Sequence, residues 1–249
     1  KPISKSAMNL MNRYGIVYEE MPQTGVITET MVEEYYASCT SQKTNFDVHE
    51  NSLVIYCGGS HAEVVYEAVL SANELDVFGF VDYTGILKLK TLFGLPVFSR
   101  FMLKQLIKKG IPYFHVNTNS IELTKSVSQN INDLGAQTIS VAHTTAIISP
   151  SVNMGNNVFC GAGSIIGTAT HIGDFTKILN GASVAHHTKI GDYCQLSDGC
   201  SIAGWVTIGN KCLIGLNSTV NSKINIGNSV TITSGKNVYK DVGDNVYFV

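Results

Sequence analysis

Histidines stand out among the residues of this sequence whose type suits catalysis. His143, His171, His186 and His187 all lie in the C-terminal half of the 249 residues. An imidazole is largely neutral at physiological pH, so it can accept a proton from a substrate or ligate a metal ion. The histidines therefore indicate either an acid–base site or a metal site, and the elements that carry them decide between the two.

A second candidate site is the turn Gly58-Gly59-Ser60-His61 in the N-terminal half. It follows an apolar run at residues 53–57 and precedes a stretch of helical character at 62–71. Unpaired N–H groups and the helix dipole at such a turn favour a phosphate group. The full GxGxxG fingerprint is absent, so we do not expect NAD to bind here.

The C-terminal histidines lie in a repeat of six residues. Sixteen positions at this spacing are all apolar, whereas a composition of 44% hydrophobic residues fills about half of them by chance. They are Ile148, Met154, Cys160, Ile166, Ile172, Ile178, Val184, Ile190, Leu196, Ile202, Ile208, Ile214, Val220, Ile226, Ile232 and Val238.

A period of six fits a three-sided solenoid, in which three hexads form one coil and the aliphatic side chains point inward. Glycine often follows the aliphatic residue, and we expect these glycines at tight corners, where φ is positive or where a Cβ would clash. The position four residues after each aliphatic is small or β-branched. Cys194, Cys200 and Cys212 occupy it, so we interpret them as packing residues and not as nucleophiles or metal ligands.

Residues 51–142 show a different pattern, in which short apolar runs alternate with helical stretches. Strands are expected at 53–57, 77–82 and 112–116, and helices at 62–71, 101–109 and 121–134. This alternation predicts a small doubly wound α/β domain with a parallel sheet. Residues 1–50 form an N-terminal extension of unassigned role, in which Thr30 and Glu33 predict a capped helix that runs to about Cys39. Residues 143–249 form the solenoid domain.

The composition excludes several classes of protein. The formal net charge is -2 and 14% of residues are charged, which disfavours nucleic-acid binding. No apolar run reaches the roughly 20 residues of a membrane span, and no signal-peptide pattern opens the sequence. The six cysteines form no CxxC pair, so reduced thiols and a cytoplasmic location are expected.

With these features, the sequence resembles the hexapeptide-repeat sugar acetyltransferases that carry a Rossmann-like N-terminal domain. That group includes the N-acetyltransferases of UDP-bacillosamine synthesis and the sialic acid O-acetyltransferases. The resemblance covers about residues 52–249 and implies a left-handed parallel β-helix after the α/β domain. It rests on LVIYCGGSHAEVV (53–65), FVDYTG (80–85), HTTAIISPSV (143–152), NGASVAHHTKIGD (180–192) and IAGWVTIGNKCLIGLNSTV (202–220).

The resemblance implies acetyl transfer from acetyl-CoA to a nucleotide-linked amino sugar in bacterial surface glycan synthesis. It implies that His186, two positions after Val184, is the general base, with His187 as the alternative. Relatives often have carboxylates beside this histidine, whereas here a second imidazole can orient the base through a hydrogen bond without negative charge. The resemblance also places an oxyanion-binding N–H at Gly204, where the alternative interpretation is a simple corner glycine.

The resemblance further assigns the residues that bind the two substrates, and it implies a homotrimer with the active site between subunits. Gln195, Gly204, Gly215 and Asn217 are expected to contact the coenzyme. The expected contacts of the sugar nucleotide are Gly58, Gly59, Ser60, His61, Asp82, Asn117 and His143.

Three alternatives from other classes remain open at this point. A sugar O-acetyltransferase of the sialic acid type would use the same residues on a hydroxyl group. A non-catalytic sugar-nucleotide-binding homologue is suggested by the altered residues at 185, 187 and 195. Some β-helix trimers hold zinc with three histidines and hydrate carbon dioxide, but the spacing of His171, His186 and His187 does not match their His-x4-His arrangement, so no metal is expected.

Overall fold

The computed structural model describes residues 3–14, 16, 21, 25–40, 47–83, 91–118 and 120–248. By internal packing the chain divides into two units, residues 1–62 with 77–137 and residues 63–76 with 138–249. No helix in the described part of the chain is both long and apolar enough to cross a bilayer.

The N-terminal extension contains two helices, α1 (Lys5–Tyr14) and α2 (Glu29–Thr40). The capping box predicted at Thr30 and Glu33 is wrong, because the hydroxyl of Thr28 accepts a hydrogen bond from the Met31 N–H and the helix begins at Glu29. A small apolar core joins these segments, and Phe101 packs against it; its members are Ala7, Met11, Ile16, Met21, Ile27 and Val32.

A six-stranded sheet follows the extension. Its strands are β1 (Ser52–Cys57), β2 (Asp76–Asp82), β3 (Thr91–Leu92), β4 (Leu95–Ser99), β5 (Tyr113–Asn117) and β6 (Gln137–Thr138), in the order β3-β4-β2-β1-β5-β6. The helices after β1, β4 and β5 are α3 (His61–Ala72), α4 (Leu103–Lys108) and α5 (Ile121–Asp133). All six residues of β1 are buried, and β1 pairs with β5 in parallel. The predicted βαβ pattern is therefore confirmed, with boundaries displaced by one or two residues.

An edge hairpin of strands β3 and β4 was not expected from the sequence. The two strands pair in an antiparallel manner, and Phe93 and Gly94 between them both have positive φ. A two-residue turn of this kind matches the twist of the flanking strands. Strand β4 then pairs in parallel with β2, which aligns Ser99 with Asp82.

The C-terminal half is a three-sided prism of two-residue parallel strands. Face 1 consists of Val141–Ala142, Phe159–Cys160, Lys177–Ile178, Gln195–Leu196, Leu213–Ile214, Thr231–Ile232 and Tyr247–Phe248. Face 2 consists of Ile147–Ile148, Ile165–Ile166, Ser183–Val184, Ser201–Ile202, Thr219–Val220 and Asn237–Val238. Face 3 consists of Asn153–Met154, His171–Ile172, Lys189–Ile190, Thr207–Ile208 and Asn225–Ile226.

The interior of the prism follows the hexad register. Fourteen of the sixteen aliphatic positions are buried, and Ile148 and Met154 at the first coil are partly buried against them. Residues one coil apart stack, as Ile172, Ile190 and Ile208 do on face 3. The small positions, including the three cysteines, are also buried. The prediction that these side chains pack in the interior is confirmed. Backbone pairing between successive coils stacks equivalent residues, and strand alternation directs the same positions of every coil inward.

The corners show which of the two expected roles the glycines have. Those after the aliphatic residues do not have positive φ; a Cβ on Gly209 would lie 2.7 Å from the backbone carbonyl group of Gly227. Close approach of successive coils therefore selects glycine there. Positive φ falls two residues later, where non-glycine residues such as His187 (φ 59°) and Trp205 (φ 65°) adopt it.

Candidate active site

His186 lies on the corner between faces 2 and 3, over the next coil of the prism. Its side chain is exposed, and Gly204, one full coil later in the chain, lies directly beneath the ring. A Cβ on Gly204 would be 2.8 Å from Cε1 and 3.0 Å from Nε2 of His186. Such distances are shorter than real Cβ contacts allow, so only glycine at position 204 permits this ring position.

His187 contacts His186 through their Nδ1 atoms, which are 3.1 Å apart. The two rings are almost perpendicular, at 85°. Trp205, one coil further on, stacks on the His187 ring with centroids 4.3 Å apart and an interplanar angle of 14°. His186, His187, Gly204 and Trp205 therefore form one cluster on two neighbouring coils.

The main chain at this corner differs from that at the corner between faces 3 and 1. At that corner, Asn or Asp side chains connect successive coils. Each accepts a hydrogen bond from a main-chain N–H of the preceding coil, as Asn210 does from the N–H of Asp192. The acceptors are Asp174, Asp192, Asn210, Asn228 and Asp244, at 2.6–2.9 Å. The equivalent column at the His186 corner is Thr168, His186, Gly204 and Ser222, which contains no Asn or Asp.

The consequence is that main-chain donors at this corner stay available. Within the described residues, the N–H groups of His186 and Gly204 donate to no protein acceptor. Gly204 is buried in spite of this. An unpaired donor in a buried position suits an oxyanion, because the protein supplies no competing acceptor.

The residues expected to contact the coenzyme lie elsewhere on the prism. Gln195 projects from face 1, where it pairs with Lys177 and Leu213. Gly215 and Asn217 lie on the corner between faces 1 and 2, and Asn217 has φ 52°. Apart from Gly204, the expected coenzyme contacts and the histidine pair therefore occupy different faces and corners of one prism.

Apart from His143, the residues expected to bind the sugar nucleotide lie at the carboxyl ends of the parallel strands or in the turn after β1. Gly58 follows β1, Asp82 ends β2 and Asn117 ends β5, and Cys57 is aligned with Asn117. The strand order reverses between β1 and β5, which is where open α/β sheets bind ligands. Asn117 is buried, and its Nδ2 has no hydrogen-bond partner among the described residues.

The turn after β1 leads directly into α3. Gly59 has φ 73°, Ser60 precedes the helix and His61 is its first residue. The ring of Tyr83, which follows Asp82, lies over Gly58, so that a Cβ there would be 2.7 Å from it. Asn119 and residues 84–85 of the motif 80–85 lie outside the described residues.

His143 directly follows the first strand of the prism and has a local hydrogen-bonding role. Its Nδ1 accepts from the Thr145 N–H at 3.1 Å and pairs with the Thr145 hydroxyl at 2.9 Å. It also lines a cavity of about 360 Å³ together with the last turn of α3, near Val69 and Ala72. The remaining ring nitrogen, Nε2, is the atom through which it can contact a ligand.

The charged groups near the sheet edge act on a buried tyrosine. Burial raises the pKa of Tyr56 to about 12, while the positive charge of Arg100 acts in the opposite direction. Arg100 follows β4, so a cation lies beside the end of β2 that carries Asp82. Among the described residues, no group of three or more His, Cys, Asp or Glu side chains is arranged to hold a metal ion.

Three residues of these clusters were not anticipated from the sequence. Trp205 is the single tryptophan of the chain and follows His187 by one full coil of three hexads, so the repeat alone contained the signal for their contact. The signal for Tyr83 and Arg100 was weaker, because their placement depends on which strands are neighbours in the sheet.

Comparisons with known proteins agree with this architecture. The family model "Bacterial transferase hexapeptide (six repeats)" matches residues 169–204 and 187–222. PerB from Caulobacter crescentus, solved in complex with CoA and GDP-perosamine, is 29% identical with a TM-score of 0.73, over 81% of this chain and 95% of that one. No protein with a curated function matches.

Two further structures extend the comparison. A variant of GDP-perosamine N-acetyltransferase from the same organism, in which a histidine is replaced by alanine, is 28% identical with a TM-score of 0.74, over 81% of this chain and 94% of that one. The acetyltransferase domain of PglB from Neisseria gonorrhoeae, in complex with acetyl coenzyme A, has a TM-score of 0.72 at 20% identity, over 79% and 95% of the two chains, and shows the same fold.

The predicted left-handed parallel β-helix after an α/β domain is thus confirmed. Hexads that stack coil on coil, the matched repeats and the structural relatives lead to one conclusion. The chain carries bacterial transferase hexapeptide repeats over residues 169–222, and its fold is similar to that of PerB and of the acetyltransferase domain of PglB.

Proposed function

We propose that this protein transfers the acetyl group of acetyl-CoA to the amine of a nucleotide-linked sugar, with His186 as the general base. The observation that carries the proposal is the corner where the His186 ring lies over Gly204 and the Gly204 N–H donates to no acceptor in the described part of the chain. The likeness to a GDP-perosamine N-acetyltransferase, at 28–29% identity, supports an amino-sugar nucleotide as acceptor.

In the proposed reaction, the sugar amine attacks the carbonyl carbon of the thioester and loses a proton to Nε2 of His186. The carbonyl oxygen gains negative charge, which the Gly204 N–H stabilises by donating a hydrogen bond. The bond between carbon and sulfur then breaks. The proton held by His186 passes to the CoA sulfur, and the products are the acetamido sugar nucleotide and free CoA.

The coenzyme is proposed to lie along the prism in contact with Gln195, Gly215 and Asn217. These residues occupy face 1 and its corner with face 2, whereas His186 occupies the corner between faces 2 and 3. Two prisms side by side can bring such separate surfaces to one groove, which favours a homotrimer with sites between subunits. Light scattering of the purified protein is expected to give three chains of 26.9 kDa.

The nucleotide is proposed to bind at the carboxyl edge of the α/β sheet. The Gly58-Gly59-Ser60-His61 turn offers N–H groups to the phosphates, and Asp82 lies at the next strand end for the ribose or base. The unpaired Nδ2 of Asn117 is a donor that a ligand can satisfy. His143 is proposed to contact the sugar. The reaction is proposed to supply bacterial surface glycan synthesis in the cytoplasm.

The test measures CoA release from acetyl-CoA with UDP-, GDP-, dTDP- and CMP-linked amino sugars and their hydroxyl counterparts. His186→Ala is expected to lower turnover by about 10²–10⁴-fold while coenzyme binding stays unchanged. His171→Ala is the matched control, because His171 is exposed on face 3 and its loss should leave turnover unaltered.

Three outcomes would contradict the proposal in different ways. Wild-type turnover in His186→Ala would remove the base assignment. A preference for the hydroxyl sugars would make the protein an O-acetyltransferase. Absence of CoA release with every acceptor would favour the non-catalytic homologue.

A further inference from the structure

The cluster around His186 includes two aromatic side chains that the proposed reaction does not use. We propose that His187, held in place by Trp205, is a positioning residue that sets the tautomer of His186 needed for catalysis. This inference rests on the proposed function of His186 as a general base. His187 and Trp205 act only through His186 and are not catalytic residues themselves.

The Nδ1 contact restricts the protons on the two rings. At 3.1 Å the two Nδ1 atoms share one hydrogen, so one ring donates and the other accepts. If His186 donates, its Nε2 carries a lone pair and can take the proton of the sugar amine. If His187 donates, Nε2 of His186 carries a hydrogen and cannot act as a base. Catalysis therefore requires His187 to be neutral, with its own hydrogen on Nε2.

The contact remains suitable as the reaction proceeds. When His186 takes the proton, it becomes an imidazolium whose Nδ1–H still points at the lone pair of His187. That hydrogen bond then has a charged donor, and such bonds are stronger than neutral ones. His187 can therefore keep its hydrogen bond to His186 after the proton transfer, although it contributes no negative charge.

Trp205 fixes the ring plane of His187. The stack at 4.3 Å and 14° would be lost if the His187 ring rotated away from His186. Both residues lie at corner positions with positive φ, where their N–H groups donate to carbonyls one coil earlier, at Thr168 and His186. The backbone thus fixes the origin of each side chain, and the stack fixes the direction of the imidazole.

The chain contains a second stack of the same geometry that serves as a control. Phe175 and Tyr193 lie at equivalent positive-φ positions on the corner between faces 3 and 1, with centroids 5.0 Å apart and an interplanar angle of 3°. Their corner carries no histidine. Tyr193→Leu removes this stack without touching His186, so it measures how far the loss of any corner stack affects the protein.

The test compares variants of the full chain. His187→Phe keeps an aromatic ring on Trp205 but removes the Nδ1 acceptor, and we expect kcat to fall about tenfold to a hundredfold with KM for acetyl-CoA unchanged. His187→Asn retains an acceptor oxygen and should recover part of kcat. Trp205→Phe should be closer to wild type than Trp205→Leu. Tyr193→Leu should leave kcat unaltered.

A direct readout of the tautomer separates this inference from the proposed function. Nitrogen-15 NMR of the histidine rings at pH 8 should show the hydrogen of His186 on Nδ1 in the wild type and a shift toward Nε2 in His187→Phe. Unchanged kcat and tautomer in His187→Phe, together with an inactive His186→Ala, would overturn the positioning role and leave the base assignment standing. If His186→Ala is fully active while the wild type and His187→Phe show the expected tautomers, His186 is not the base. The hydrogen bond between His186 and His187 would then stand.

Discussion

At the scale of single residues, the length of the coil decides which side chains meet at the site. It places Gly204 under His186 and Trp205 against His187, although each pair is far apart in the chain. Glycine at 204 has two consequences here. It leaves space for the imidazole, and its main-chain N–H is available to an oxyanion. In the proposed reaction, one missing Cβ therefore connects the position of His186 with the stabilisation of the transition state.

Gly204→Ala tests this connection. The added Cβ would lie 2.8 Å from Cε1 of His186, so the exposed ring must move. Because a displacement of about 1 Å can cost about 10²-fold in rate, turnover should fall by about that factor while the melting temperature changes little. Gly243→Ala is the control, since its Cβ would meet nothing within 4 Å. Equal turnover in the two variants would contradict the role assigned to Gly204.

At the scale of elements, the corners of the prism are closed in different ways. The corner between faces 3 and 1 uses Asn and Asp side chains that accept main-chain N–H groups from coil to coil. The corner with His186 lacks such residues, which leaves N–H groups for a ligand. Under the proposed function, stabilising side-chain hydrogen bonds and the active site therefore lie at different corners of one repeating element.

Asn210→Ala measures what one step of this closure contributes. The Oδ1 of Asn210 accepts the Asp192 N–H at 2.7 Å, so its removal should lower the free energy of unfolding by about 0.5–1.5 kcal/mol. Thr207→Ala, an exposed strand residue of the same coil, should change it by less than about 0.5 kcal/mol. Urea unfolding of both variants gives the comparison. An equal effect of the two substitutions would show that the side-chain acceptors do not stabilise the corner.

At the scale of the whole molecule, the prism is held together by one continuous apolar interior. Cys194, Cys200 and Cys212 lie at the small positions of the hexads, and Cys160 lies at one of the aliphatic positions. The thiol of Cys194 donates a hydrogen bond to the Gly209 carbonyl of the next coil. Burial raises the pKa of Cys160 and of Cys200 to about 12. These thiols therefore report whether the prism is closed.

Alkylation of the native protein at pH 9 should leave Cys160 and Cys200 unmodified. Only the thiolate reacts, and a pKa raised by burial keeps the thiol protonated until the pH approaches 12. Mass spectrometry after iodoacetamide treatment gives the extent of modification at each cysteine. The same treatment in guanidinium chloride should modify both residues. Rapid labelling of the native protein would mean that the interior is open to solvent.

The sequence by itself determined the prism, its interior and the coil on which each histidine lies. This was possible because every hexad repeats the same local packing, so one aliphatic at a fixed spacing specifies the whole element. Cys194 and Ile190 could therefore be assigned to the interior without coordinates. The identity of the general base remains a prediction that only the proposed variants test.

The tertiary structure decided what depends on contacts between residues that are distant in sequence. The Nδ1 contact of His186 with His187 depends on ring orientations that Trp205 sets, and no spacing encodes those orientations. The edge hairpin and the packing of the N-terminal helices against Phe101 likewise depend on which strands and helices become neighbours. A periodic pattern specifies positions along a repeat, whereas side-chain direction and sheet order are set only when the chain has folded.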